Sequence, residues 1–453
     1  MIPASPPVSL HQIRACFEGA IPAIMCTCAA DGTPNVAYIS QVNYVDERHV
    51  ALSFQFFNKT RQNILANPHG SVLLIDPVSA AYYRLHLRYL RTETSGPLFE
   101  SMKAQLAGIA SYSGMAGVFR LLGSDVYEVE TVESVEGERL PPQPARLGLL
   151  AGVRRSAERL ATCSATDELL QTALAVLNDH LDVRHAMVLM LDSATQRLYT
   201  VASCGYATSG VGSEIEIGHG VIGVAARERT PVRISHMTNA ASYSHAVRSS
   251  MRETEPGLVL DTEIRFPGLP EPHSQLAVPI VSSGRLLGAL FVESPQDMRF
   301  GFEDEDALVA IAGHLGAALE LLRTGDEPAA PAEELPEAGG RSVSGAPVPV
   351  RHYLANNSVF IGDSYLIKGV AGAILGKLLR EYSEQGRTEY TNRELRLDPA
   401  IRLPDLSDNL EARLVLLQRR LVENCPHIRI EKTGRGRFRL RMERPVALTE
   451  ISG

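Results

Sequence analysis

The stretches GHGVIGVAARERTPVRI (218–234) and SQLAVPIVSSGRLLGALFVES (274–294) decide how the middle of the chain is organised. In the second, Leu276, Val278 and Ile280 alternate along one face, Ser283-Gly284 turns the chain, and Leu287, Ala289 and Phe291 lead back. Alternation on both sides of a two-residue turn predicts paired antiparallel strands. Directly after them, FEDEDALVAIAGHLGAAL (302–319) sets Leu308, Ile311, Leu315 and Leu319 on one helical face. Its acidic first turn suits the positive end of a helix dipole.

These segments resemble a GAF domain, a small-molecule-sensing or dimerising module built on a sheet with flanking helices, here over residues 145–323. Upstream, Leu150, Val153, Ala157 and Leu160 share a helical face, and Leu169, Leu170, Ala173 and Leu177 continue an apolar stripe. Such helices pair across a dimer or pack on their own sheet. Strands follow at 186–192 and 196–204. A GAF domain encloses its ligand in the region that here spans 236–273, so the resemblance implies His236, Tyr243, His245 and His273 as ligand contacts; each also reads as a surface residue. The Asn-Lys-Phe-Asp-Glu pattern of cyclic-nucleotide GAF domains and the Cys-His dipeptide of bilin attachment are both absent.

A chain of 453 residues predicts about three domains. With 45% hydrophobic and 21% charged residues it reads as globular, and no apolar run reaches the roughly 20 residues of a membrane span. The start, MIPASPPVSLHQIR, lacks the basic and apolar regions of a signal peptide, so a cytoplasmic location is expected. Six scattered cysteines form no disulfide framework; Cys26 and Cys28, with Cys16 nearby, suit packing, a metal or a redox pair. The net charge of −8 is unevenly spread: residues 341–453 hold 19 Lys and Arg against 13 Asp and Glu, and the first 340 hold 25 against 39. A basic tail on an acidic body points to a polyanionic partner for the tail.

In residues 21–68, Asp31-Gly32 separates two strand-like runs, and Val50, Leu52 and Phe54 mark a third. SVLLID (71–76), YRLHLRYLRTE (83–93) and DVYEVETV (125–132) add further strands, with a helix near 97–109, which argues for a small barrel. This order, with Asn58-Lys59-Thr60-Arg61 after the third strand, resembles the pyridoxamine 5′-phosphate oxidase-like split barrel, a family of dimeric flavin-binding proteins, over residues 10–140. The resemblance implies that Lys59, Thr60, Arg61 and Asn63 hold an FMN phosphate. Thr60 is read as a helix N-cap, so free N–H groups and two cations would meet one phosphate. Ser40, Gln41 and Asn43 would lie near the flavin ring, with Arg84 and Arg88 as further contacts. Family members also hold haem, a deazaflavin or nothing, and haem ranks below FMN here. No catalytic acid–base pair is evident. The insertion 89–117 reads as a lid or as a dimer-stabilising helix.

Residues 324–349 are rich in Pro, Ala, Glu and Gly without apolar periodicity, a flexible linker. Beyond it come short strands near VRHYL and SVFIG, a helix over 370–382, and a second helix capped by Thr391. A third helix opens on the capping box Asp408–Glu411, with Leu410, Leu414, Leu417 and Leu421 buried. The terminal hairpin turns at Gly434-Arg435-Gly436. GVAGAILGK (369–377) lacks the spacing and hydroxyl of a phosphate loop. The segments LVLLQRRL (414–421) and GRGRFRL (434–440) resemble the recognition helix and wing of response-regulator winged-helix domains, here over 350–445. That implies Arg413, Gln418, Arg419 and Arg420 facing solvent and a DNA groove, with Lys432, Arg435 and Arg437 on the DNA backbone. A winged helix that binds protein is the other reading.

The expected fold is multidomain α+β: a split β-barrel, a GAF α/β sheet domain, and a winged helix-turn-helix. The expected protein is a dimeric ligand or redox sensor that reports by binding DNA, with a GAF-regulated flavin-dependent oxidoreductase and a ligand-free scaffold as rivals. The helices at 145–180 and 302–323 are the expected coupling elements.

Overall fold

The computed structural model describes residues 8–17, 21–39, 41–54, 59–112, 120–140, 148–235, 264–324, 345–401, 403 and 410–451. Ser40, Asn58, His236, Tyr243, His245 and Asp408 lie outside these, as does most of the expected linker.

Seven strands build the first domain: β1 (Ala23–Cys28), β2 (Pro34–Ile39), β3 (Val42–Tyr44), β4 (His49–Phe54), β5 (His69–Ile75), β6 (Tyr82–Glu93) and β7 (Gly123–Val135). They pair in the order β2-β1-β5-β6-β7-β4-β3. Helix α1 (Lys59–Ala66) enters β5, and α2 (Pro97–Tyr112) links β6 to β7. The β1–β2 turn is held by Asp31, whose carboxylate accepts the Thr33 N–H at 2.9 Å, while Gly32 supplies a φ of +88°. Met25, Val50, Leu52, Val72, Leu85, Leu87 and Tyr127 fill the interior, plugged by Ile13 and Phe17 from the preceding short 3₁₀ segment. The register shifts at His86/Leu87, where Glu130 of β7 is the extra residue, and at Tyr89/Arg91, where Leu90 of β6 is, mark one bulge in each strand.

The second domain opens with α3 (Leu149–Ala161) and α4 (Thr166–Leu181). Its sheet contains β8 (His185–Asp192), β9 (Arg197–Cys204), β10 (Glu214–Glu216), β11 (Val232–Ile234), β12 (Ser274–Ser282) and β13 (Arg285–Ser294), in the order β10-β9-β8-β13-β12-β11. Helices α5 (Gly220–Glu228) and α6 (Phe302–Thr324) complete it. The β12–β13 turn has positive φ at both Ser283 (+49°) and Gly284 (+74°), the geometry that matches strand twist in a two-residue hairpin. Leu276, Val278, Ile280, Leu290 and Val292 share a core with α4 and α6. Ala277, Ala289 and Phe291 point the other way, into a second core with α5. Ala104 of α2 belongs to that second core, while Phe99 and Met102 of the same helix pack with Ala51 and Leu121 of the first domain, so α2 bridges the two.

One expected helix face is rotated. Leu150 is 84% exposed, and α3 instead buries Gly152, Ser156 and Leu160. The cause is a close crossing: a Cβ on Gly152 would lie 2.7 Å from the His180 carbonyl of α4.

The third domain begins with β14 (Val348–Tyr353), β15 (Ser358–Ile361) and β16 (Ser364–Ile367), joined in parallel at β14 by the last strand, β20 (Val446–Ile451). Between them lie α7 (Gly369–Gln385), β17 (Glu389–Thr391), α8 (Asn392–Leu397), α9 (Leu410–Asn424), and the hairpin β18 (Ile428–Gly434) and β19 (Arg437–Met442). β19 pairs with β17 to make a separate three-stranded sheet. Thr391 caps α8 as expected, its hydroxyl accepting the Glu394 N–H at 3.2 Å. Gly372 serves packing rather than phosphate: a Cβ there would sit 1.8 Å from the Asn357 carbonyl. One apolar core runs from α4 and α6 into α7 and α9, so the second and third domains are packed together. Among the described residues no helix is long and apolar enough to cross a membrane.

Candidate functional site

The expected phosphate turn is only partly open to a ligand. Helix α1 already begins at Lys59, so Thr60 lies inside its first turn rather than at the cap. Thr60 and Asn63 point into the barrel: the Thr60 hydroxyl accepts from Asn35 at 3.0 Å, and Asn63 donates to the Thr27 hydroxyl at 3.1 Å. Arg61 pairs with Asp125, donates to the Thr92 hydroxyl at 3.1 Å, and stacks 3.7 Å above the Phe54 ring. Thr92 in turn donates to Asp125 at 2.5 Å and meets the Tyr89 hydroxyl at 2.6 Å. Lys59 is exposed in the first turn of α1, whose N–H groups have no intrahelical acceptor. The fit to a flavin phosphate is therefore narrow and rests on Lys59 and that first turn.

Arg84 and Arg88 do not join this site. They share the outer face of β6, where Arg84 meets Glu133 at 2.9 Å and Arg88 pairs with Glu128 and, at 3.8 Å, Glu130. At roughly 3.3 Å per strand residue, Arg84 stands about 26 Å along β6 from Thr92. Gln41 donates to Gln105 of α2 at 3.0 Å, and Asn43 is half-buried on β3.

In the second domain, His273 is a surface residue, its ring 3.3 Å from Asp297. One buried carboxylate there is Glu293, 2% exposed and two residues beyond Phe291 on β13. Its cross-strand partners are His185 on β8 and Gln275 on β12, making a polar row at one end of the α5-side core. The carboxylate accepts the Leu269 N–H at 2.7 Å and the Gln275 amide at 3.0 Å. Burial pushes its carboxyl above the usual range, against the pull of these hydrogen bonds. Tyr206 packs on His185 at 5.6 Å, and Phe266 on Phe291 at 6.3 Å. Glu293 was legible in principle: a carboxylate ending a strand buried on both faces, in phase with Phe291.

The third domain reverses the expected orientation of its arginines. Arg413 and Arg420 are 4% and 8% exposed, while Gln418 is exposed and Arg419 half-buried. Arg413 meets Asp192 of β8 at 3.1 Å and stacks 4.7 Å from the Tyr199 ring; Arg419 donates to the Val201 carbonyl of β9 at 2.6 Å. Arg420 turns into its own domain, donating to the Leu366 carbonyl at 3.0 Å. The reason is that α9 has neighbours on two sides, its own sheet and the second domain. Leu410, Leu417 and Leu421 are buried as expected, with Leu414. On the hairpin Lys432 and Arg435 are exposed and Arg437 half-buried. Together with Ser164–Asp167 at the start of α4 and with Glu411 and Gln418 of α9, they line a cavity of about 100 Å³. Among the described residues no group of His, Cys, Asp and Glu side chains could hold a metal ion.

The chain joins a split barrel to a sheet-and-helix module of sensory type. Its two modules are specific: residues 9–133 match the family model for pyridoxamine 5′-phosphate oxidase, and residues 165–319 match that for the GAF domain. The chain thus contains a pyridoxamine 5′-phosphate oxidase-like domain and a GAF domain. Among solved structures, it is similar to the GAF domain of an Acinetobacter phosphoenolpyruvate-protein phosphotransferase, at 20% identity over 39% of this chain and 94% of that chain, with a TM-score of 0.31. It is also similar to free methionine-R-sulfoxide reductase from Neisseria meningitidis, at 18% identity over 41% and 98%, TM-score 0.31. An FMN-binding protein from Syntrophomonas wolfei matches at 16% identity over 29% and 88%, TM-score 0.25. No curated protein matches the chain.

Proposed function

We propose that this chain is a ligand- or redox-responsive regulator whose third domain is a winged-helix DNA-binding output. The observation that carries this is the order of elements after residue 348: a strand layer, α7, β17, α8, α9, and a hairpin that closes on β17 as a three-stranded sheet. In a winged helix the last helix serves the major groove and the hairpin lies along the backbone. Lys432 and Arg435, exposed on that hairpin, are of the right charge for phosphates. The barrel would hold FMN through Lys59 and the first turn of α1. A bound flavin supplies reversible electron chemistry, so its oxidation state is one candidate signal. The GAF domain supplies the other, a small molecule bound on the α5 side of its sheet. The protein would act as a homodimer. Packing of the third domain on the GAF domain favours this reading over a flavin-dependent oxidoreductase, because it ties the proposed output directly to a sensor.

The test is fluorescence anisotropy of the intact protein with labelled duplex DNA, begun at low salt. Binding should weaken steeply with salt, and Lys432→Ala with Arg435→Ala should lower affinity for every sequence and flatten the salt slope by about 0.9 per lost contact. Binding that ignores both salt and these substitutions would overturn the DNA reading.

A further inference from the structure

Helix α9 has apolar and basic residues on the side away from its own sheet. Leu416 is 4% exposed, and a Cβ on Gly212 of the β9–β10 connection would lie 3.6 Å from its methyl carbon. A helix apolar on two sides is built to be covered on two sides. Its basic residues find acidic or carbonyl partners on the same GAF surface. Arg413 meets Asp192, Arg419 meets the Val201 carbonyl, and Lys368 at the start of α7 meets Glu214 at 3.2 Å. Burial pushes the Asp192 carboxyl up, yet the Arg413 charge and the Thr195 and Ala194 N–H groups outweigh it and hold the group below the usual range. The acidic body of the chain thus places carboxylates and a carbonyl against cations of its basic tail.

We propose that the GAF domain is a latch on the output helix: β8, β9 and the β9–β10 connection cover the face of α9 that carries Arg413, Leu416 and Arg419, so DNA is taken up only after the two domains part. This deepens the regulator reading and rests on it. Asp192 stands against Arg413 on the DNA-facing side of α9, and Glu214 holds Lys368 beside it, so latch and DNA compete for one surface. Arg420 turns its guanidinium to the Leu366 carbonyl of its own domain, while its stem lies beside Gly212, where an added Cβ would be 3.7 Å from its Cδ.

The experiment pairs Asp192→Asn with Glu214→Gln in the intact protein. The asparagine amide oxygen keeps an acceptor for the Ala194 and Thr195 N–H groups, which Asp192 binds at 3.0 and 3.2 Å, so the turn survives while the charge is lost. Two readouts are taken together: hydrogen exchange of residues 410–424, and affinity for labelled duplex DNA. The latch predicts faster exchange in α9 and tighter DNA binding, on the order of tenfold or more, since each substitution takes a carboxylate away from a cation of the tail. Adding Arg435→Ala should then reverse the gain in affinity. Unchanged exchange with unchanged affinity overturns the latch. Wild-type binding as tight as that of the variant overturns it too, while leaving the DNA reading intact. Faster exchange with no DNA binding in any variant overturns the proposal at its other root: α9 would then be a protein-docking helix. A melting profile of the variant in which the GAF transition survives shows that the substituted domain is still folded.

Discussion

Asp125→Asn isolates what Arg61 contributes to the barrel. The two side chains are 14% and 9% exposed, and the guanidinium also holds Thr92 and covers Phe54. At an effective dielectric of about 20, a contact ion pair attracts by roughly 4 kcal/mol. Desolvation offsets much of that when both charges are present, but removing one partner strands the other, and such losses are about 3 kcal/mol. The substituted amide can still accept the Thr92 hydroxyl, so the loss is electrostatic rather than a cavity effect. For a domain of this size, about 3 kcal/mol corresponds to about 10 °C in the barrel transition. Calorimetry of the intact protein would read it, with hydrogen exchange at α1 and β7 assigning the transition, because a three-domain chain does not melt in one step. A second variant, Asp125→Leu with Arg61→Met, replaces both charges with apolar groups and should recover most of the loss. A shift under about 2 °C for Asp125→Asn, or a double variant worse than the single one, would refute the view of Arg61 as a buried structural cation.

Two further outcomes follow from the same geometry. Lys59→Ala should weaken FMN uptake roughly tenfold to a hundredfold, the usual range for one charge-assisted contact, as read by quenching of flavin fluorescence; undiminished uptake would remove α1 from the cofactor site. Glu293→Gln tests the buried carboxyl by urea unfolding across pH. Its folded value lies above the ordinary 4.5, so the native state binds the proton more tightly than the unfolded chain. Wild type and variant should match in stability near and below pH 4.5, and wild type should fall behind as pH rises through the folded value. A wild type more stable than the variant at neutral pH would mean that the hydrogen bonds from Leu269 and Gln275 outweigh burial.

Periodicity alone located most of the elements. The Ser283-Gly284 turn, the stripe Leu308, Ile311, Leu315 and Leu319, the Thr391 cap and the terminal hairpin all stand where their local patterns put them. These patterns depend on contacts within a few residues, so the chain itself carries them. Orientation was less accessible. Leu150 and Ser156 lie on helical stripes that fit a 3.6-residue period almost equally well, and the close approach of α4 at Gly152 selects the second. Arg84 and Arg88 share a face as alternation requires, but Leu85 and Leu87 take the interior, so that face lies outside, against Glu133 and Glu128.

What the sequence by itself determined is the pair of recognisable modules, the basic character of the last hundred or so residues, and the apolar stripe Leu410, Leu417, Leu421 that seats α9 on its own sheet. Only the tertiary structure decided that Arg413 and Arg419 meet the GAF domain, that Arg420 turns inward, and that Glu293 is buried in a polar row. The physical reason is range. A helix dictates which residues share a side, but the partners on that side come from two strands more than two hundred residues away, at Asp192 and Val201, and no local pattern in α9 encodes their arrival.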